Sequence, residues 1–373
     1  MAYDAAAERA VRSLVAAPPP RVAWPDAAKA VCILLVVLGH VTYLHVEESR
    51  WYAAAGAPPL WDLLDVVLRP VRMPLFFAVS GFFAARALTR PWRASVRGRV
   101  VQNFYLHVLW MLVGFGVALA VGIPTFMAPE HASGLPGAAL TASTGLWYLY
   151  ALAVYFVLAR ATRSWPAPVP VALAAVLAVA SFSGVLPGAG DTHSVLENLV
   201  WFLAGARFPE QVRRLSRRPR PVALVAVVVV LVAVLGAVRV LDLPRVPAAV
   251  LEIPTRAGAV VAGMLLAVLF VTWFPRAASP LLRLGRRTLP VYALHGLVLI
   301  VVQRPLAAVT EPLFGALPHP AQLLLVLVYP LVLTLAIAWC CLAAQTLAQR
   351  VGAGWLFALP TRKRSPARLV PPA

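Results

Sequence analysis

The sequence predicts an all-α, polytopic membrane protein with about ten transmembrane helices. Three observations predict it. Only 13% of the residues are charged and 61% are hydrophobic, whereas a soluble domain carries about a quarter charged residues. The apolar residues fall into runs of roughly 16 to 25, long enough to span a bilayer as helices. The basic residues concentrate on alternate loops, as the positive-inside rule requires.

The elements follow in chain order. Residues 1–29 read as a polar cytoplasmic arm, 30–347 as one transmembrane domain, and 348–373 as a basic, Pro-rich cytoplasmic tail expected to be disordered. The spans are expected near 30–46, 71–88, 100–121, 144–160, 168–186, 195–208, 221–240, 256–274, 288–303 and 321–347. The sixth and ninth are short. With the N-terminus placed in the cytoplasm, 26 of the 33 Lys and Arg fall in cytoplasmic segments and 10 of the 14 acids on the other side. Both termini are therefore expected to be cytoplasmic. The net charge of +19 then sets orientation and favours anionic lipid, and it needs no nucleic-acid partner. No cleavable signal peptide is expected, because the first apolar run lacks a small-residue cleavage site and more spans follow. Cys32, Cys340 and Cys341 lie inside apolar runs and read as small core residues. Richness in Ala, Arg and Pro points to a GC-rich genome and a bacterial plasma membrane.

Chemistry must then come from residues in the membrane or in short loops. An ionisable group inside a span is costly and is a functional candidate by default. His40 lies about two thirds of the way along the first span, toward the outer leaflet, and His295 sits in the middle of the ninth. A neutral imidazole can take a proton from an alcohol near neutral pH. His107 is a third intramembrane histidine, whereas His45, His131, His193 and His319 look ordinary. Neither His40 nor His295 has a carboxylate or second histidine at ligand spacing, so no metal is expected.

Asp26 and Lys29 lie three residues apart at the cytoplasmic mouth of the first span. They read either as an ion pair marking a helix start or as an anion site, with Arg21 able to contribute. Lys29 and His40 share a helix face about 16 Å apart along the axis. Arg69 and Arg72 sit at the outer end of the second span, against the charge trend, and suit an anionic or hydroxyl-rich ligand. Ser80-Gly81 reads as close helix packing, with Ser80 as a nucleophile the alternative. Trp147, Tyr148 and Tyr150 open the fourth span as an aromatic belt or a sugar-stacking platform. Tyr292 lies one turn from His295.

Taken together and in order, these segments resemble the acyltransferase 3 family of integral membrane acyltransferases, within it the fucose 4-O-acetylase-like branch. Trp24, Asp26, Lys29 and Leu38-Gly39-His40 resemble the family's opening pattern, including its basic-x10-His pair. Met73 to Phe77 with Ser80-Gly81, Trp147 to Leu149, Asn198 to Ala206 and Tyr292 to His295 resemble its later segments. Pro25 and Ala30 depart from the usual Leu or Ile and Gly, and Lys29 stands where many members have Arg. The esterase-like domain fused to some members is not expected here, which leaves room for a partner acyl-transfer protein.

The resemblance implies a ten-helix domain that moves an acyl group, usually acetyl, from cytoplasmic acyl-CoA to a hydroxyl of a sugar or surface glycan. In that reading His40 is the general base. Lys29, Arg21, Arg97, Arg99, Arg286 and Arg287 form a basic mouth for acetyl-CoA. His295 and Tyr292 stabilise charge or pass on the proton, and Asp26, Arg72, Ser80, Trp147 and Tyr148 are expected to contact substrate. A proton-coupled carrier of a small anion or glycan is the alternative, since intramembrane histidines suit it as well.

Overall fold

The computed structural model describes residues 22–56, 60–186 and 190–360, and every regular element among them is helical. Arg21 and the tail beyond residue 360 lie outside the described residues. Each of the ten expected spans falls on a helix. Among the described residues seven helical segments are long and apolar enough to cross a membrane, two shorter helices are apolar, and the sixth expected span falls on a third short helix.

Helix α1 (Trp24–Val41) opens with Pro25 in its first turn, where a missing N–H costs nothing. It passes into a π turn over Thr42–Val46, just beyond His40. The short helix α2 (Arg50–Ala54) follows, and Glu311 accepts hydrogen bonds from the Arg50 and Trp51 amides at its start. Helix α3 (Leu60–Leu88) begins eleven residues before the expected second span. Arg69 and Arg72 are therefore not at a helix end. They project from its middle turns, because Pro70 and Pro74 are accommodated inside the helix rather than starting it.

Next come α4 (Trp92–Val96), a π turn over Arg97–Val101, α5 (Gln102–Val121) and α6 (Leu135–Leu140). The three shorter spans are α7 (Trp147–Ala161), α8 (Pro168–Phe182) and α9 (Thr192–Arg207). Helix α10 (Pro209–Ser216) leads to α11 (Pro221–Leu241) and α12 (Arg245–Trp273). The chain closes with α13 (Pro275–Gly285), α14 (Thr288–Gly315) and α15 (His319–Arg350).

Successive long helices run antiparallel. Trp24, at the start of α1, has its ring 6.3 Å from that of Phe82, near the end of α3. Arg160, at the end of α7, donates to the Leu88 carbonyl at the end of α3. Arg287, before α14, donates to Gln345 near the end of α15. These ends share one face, which carries most of the arginines and is called the basic face below.

The interior is built around α1, α3, α7, α9 and α14, whose facing positions are closed by Ile33, Phe77, Leu149, Phe202 and Val291. Helices α3 and α9 approach through glycine. A Cβ at Gly81 would strike the Phe202 carbonyl, and one at Gly205 would strike the Ala78 carbonyl. Small residues permit such backbone approach where lipid supplies no hydrophobic drive. Helix α11 packs against α12 at the periphery and is exposed along its length, as a lipid-facing span would be. Cys32 and Cys341 are buried, but Cys340 is exposed. Adjacent helical positions point about 100° apart, so the Cys340-Cys341 pair cannot both face the core.

Candidate functional site

Two imidazoles define the site. His40 comes from α1 and His295 from α14, and their ring centroids stand 5.1 Å apart at an interplanar angle of 49°. The His40 Nδ1 lies 2.9 Å from the Val36 carbonyl. The His295 Nδ1 lies 3.0 Å from the Val291 carbonyl and 2.8 Å from that of Tyr292. A carbonyl can only accept, so both Nδ1 atoms carry a proton, and in the neutral imidazole Nε2 is then the lone-pair acceptor. That is the tautomer a general base needs. His295 is 2% exposed, and its Nε2 has no hydrogen-bond partner among the described residues.

Phe126 holds this arrangement from the segment between α5 and α6. Its ring stacks on His40 with centroids 4.6 Å apart and planes 7° from parallel. Glycines make room for it: a Cβ at Gly296 would meet the Phe126 ring at 2.7 Å, and one at Gly145 would strike the same ring. The Gly145 amide also donates to the Phe126 carbonyl at 2.7 Å. Gly39 likewise makes room for Arg72, whose Nη1 would lie 2.8 Å from a Cβ there.

The histidines line a cavity of about 570 Å³ between α1, α3, α7, α9, α12 and α14. Arg69, Arg72, Trp147 and Tyr292 line it too, as do Asp191, Ser194, Glu197, Asn198 and Arg256. A smaller cavity of about 300 Å³ adjoins it at His40 and continues toward Asp62, Asp65 and Glu47. The three cavity arginines all have carboxylate partners. Arg72 donates to Asp65 at 2.6 Å, and Arg69 bonds the same carboxylate. Arg256 lies 2.8 Å from Glu252 and 3.7 Å from Glu197, over the ring of Phe182. Outside the membrane-spanning segments, burial pushes the Asp191 carboxyl up from 3.8 to about 6.

The structure thus brings His40, His295, Arg72, Trp147 and Tyr292 together. Tyr292 contributes its ring, while its hydroxyl is engaged: it donates to the Gly145 carbonyl at 2.9 Å and accepts from the Tyr148 amide at 3.1 Å. Ser80 and Tyr148 form a separate pair, with their hydroxyl oxygens 2.8 Å apart. Ser80 also donates to the Phe76 carbonyl at 2.8 Å, so its partners are a phenol and a carbonyl rather than a base. His107 packs against α6 with its Nε2 3.3 Å from the Ala138 carbonyl, and His45 bonds Tyr329 at 2.7 Å.

A second cluster lies at the basic face, about three helical turns from His40. Asp26 is 1% exposed. Lys29 stands 3.1 Å from one of its carboxylate oxygens and Arg286 stands 3.5 Å from the other. The Gly285 backbone packs directly on that of Asp26, which leaves no room for a side chain. Arg287 is occupied by Gln345 and Thr346. Arg97 and Arg99 are exposed on the second π turn, where Arg97 donates to the Pro360 carbonyl at 2.7 Å.

Sequence reasoning missed the polar face of α9. Asp191, Ser194 and Asn198 recur at helical spacing at the edge of the sixth expected span, with Glu197 beside them. That periodicity in an apolar run was the available signal. Arg256 was missed because it stands at an expected span boundary, where an arginine reads as an interfacial anchor.

Comparison with known proteins agrees with this picture. Residues 22–345 match the acyltransferase domain that defines the acyltransferase 3 family. The inner membrane protein YcfT of Escherichia coli strain K12 is 31% identical over 202 residues, covering 50% of this chain and 56% of that protein. The chain thus matches about half the length of this relative. No solved structure matches the chain. Its helical architecture, its paired intramembrane histidines and the match across residues 22–345 lead to one conclusion: the chain belongs to the acyltransferase 3 family.

Proposed function

We propose that the protein is an O-acyltransferase that moves an acyl group, in the simplest case acetyl, from acyl-CoA to a hydroxyl of a sugar or glycan. The observation that carries the reading is the His40–His295 pair. Two imidazoles from different helices meet at the wall of a ligand-sized cavity, each with its Nε2 lone pair available. The family match supports acyl transfer as the reaction class. The inner-membrane description of YcfT supports a bacterial inner membrane, and the positive-inside rule alone is the ground for placing the basic face and both termini in the cytoplasm.

In this reading His40 Nε2 takes the proton of the acceptor hydroxyl as its oxygen attacks the thioester carbonyl. The C–O bond forms, the C–S bond breaks, and the imidazolium returns the proton to the departing thiolate. General acid–base help of this kind is worth about 10² to 10⁴ in rate. His295 shares the developing charge, since its ring is adjacent. Tyr292 holds the start of α7 rather than carrying the proton. Lys29, Arg97, Arg99 and Arg286, on the basic face, are the residues suited to the donor's phosphates. Asp26 offsets part of the charge of Lys29 and Arg286, so the exposed Arg97 and Arg99 carry more of that role.

A carrier of small anions fits the cavity less well, because Arg69, Arg72 and Arg256 already face carboxylates. The test is thioester consumption by purified protein in nanodiscs, with radiolabelled acetyl-CoA and a mixed glycan pool. Coenzyme A release that His40→Ala abolishes, with the variant still monodisperse, is the expected result. Full activity in His40→Ala would overturn the assignment.

A further inference from the structure

The polar face of α9 has no role in the chemistry above, yet it lines the same cavity as the histidines. Asn198 is 4% exposed. Its amide nitrogen donates to the Ser194 carbonyl at 2.8 Å, one turn back in α9. Its Oδ1 is buried and has no hydrogen-bond partner among the described residues. His295 Nε2 is in the same condition. Both atoms are acceptors, so what satisfies them must donate. A buried acceptor left unmade is costly, and these two belong to residues that line one and the same cavity.

The charge of the cavity narrows the ligand. Arg69 and Arg72 face Asp65, and Arg256 faces Glu197 and Glu252. Hydroxyls donate without bringing charge. Trp147 supplies an aromatic surface in the same wall, which suits the apolar face of a saccharide ring.

We propose that Asn198 is a specificity-determining residue of the acceptor subsite: its Oδ1 accepts a hydrogen bond from a second hydroxyl of an uncharged polyol whose reacting hydroxyl lies at the histidines. The proposal rests on the acyltransferase reading for the identity of the reacting hydroxyl. The binding contact itself stands without that reading.

The test measures binding first, without any donor. Wild-type protein in nanodiscs is titrated with the methyl glycosides of glucose, galactose, mannose and fucose and with their monodeoxy analogues. Asn198→Leu removes the acceptor, and Asn198→Asp keeps an oxygen acceptor at the same place. Monodispersity and thermal unfolding check that both variants fold. At least one glycoside is expected to bind wild type, and removal of one particular hydroxyl is expected to weaken it about 3- to 10-fold, the effect of one neutral hydrogen bond. Asn198→Leu should show the same weakening and lose sensitivity to that hydroxyl alone, while Asn198→Asp retains it. No saturable binding of any glycoside to wild type, or equal sensitivity to every hydroxyl in wild type and Asn198→Leu, would overturn the proposal.

Thioester consumption run in parallel separates the two ideas. Transfer that needs His40, with an acceptor KM that Asn198→Leu leaves alone, would sink the subsite and keep the enzyme. Glycoside binding that needs Asn198, without any thioester consumption, would keep the subsite and sink the enzyme.

Discussion

Tyr292→Phe separates a positioning role from a chemical one. The Tyr292 side chain is 6% exposed, and its hydroxyl bridges the Gly145 carbonyl and the Tyr148 amide. The Tyr148 amide belongs to the first turn of α7, where no intrahelical acceptor exists. Gly145 in turn donates to Phe126, the ring stacked on His40. Removing one oxygen therefore leaves a buried N–H and a buried C=O unmade and loosens the support under His40. Interhelical hydrogen bonds in membranes average about 0.6 and reach about 1.7 kcal/mol, so two lost bonds cost about 1 to 3 kcal/mol. Scaled to a chain of 373 residues, this lowers Tm by about 1 to 4 °C. The aromatic ring remains, so kcat should fall less than about tenfold, well short of the 10² to 10⁴ expected of a lost proton carrier. Thermal unfolding of the purified variant and its rate of coenzyme A release give both numbers. An unchanged Tm with a thousandfold loss of kcat would refute the positioning argument and return Tyr292 to the proton path.

Gly205→Val should be poorly tolerated, since its Cβ meets the Ala78 carbonyl and the α3–α9 pair must separate; overpacking costs about 1 to 3 kcal/mol, and a backbone clash belongs at the upper end of that range. The monodisperse fraction after detergent extraction measures it, with Gly236→Ala on exposed α11, where nothing lies within 4 Å, as the neutral control. Asp191 gives a pH signature. Its carboxyl is pushed from 3.8 to about 6 by burial, so the folded state holds that proton more tightly than the unfolded one, and the stabilisation is lost as pH rises through that range. Tm should therefore decline from about pH 4 to pH 6 in wild type, and Asp191→Asn should flatten that decline; an identical slope in both proteins would count against it.

The contrast between sequence and structure is clearest at the histidines. Hydropathy is a local property, and the cost of an ionisable group in lipid applies to each residue alone. For that reason the apolar runs, the helices they became, and His40 and His295 as candidates were all legible in the sequence. Helix ends were less so, because a proline that would break a helix in water is accommodated within α3, which carried Arg69 and Arg72 into the bundle.

What the chain alone could not supply is adjacency. The residues at 40 and 295 share a cavity because α3 and α9 close on each other through Gly81 and Gly205 while Gly39 and Gly296 leave room for Arg72 and Phe126, and side-chain contact across helices depends on rotation and crossing rather than on spacing. The same packing turned the Asp191, Ser194 and Asn198 face of α9 inward and closed the Tyr292 hydroxyl onto α7. Sequence determined which groups lipid would not leave exposed. Tertiary structure decided which of them meet, because burial in a bundle is a property of pairs of helices and not of any one.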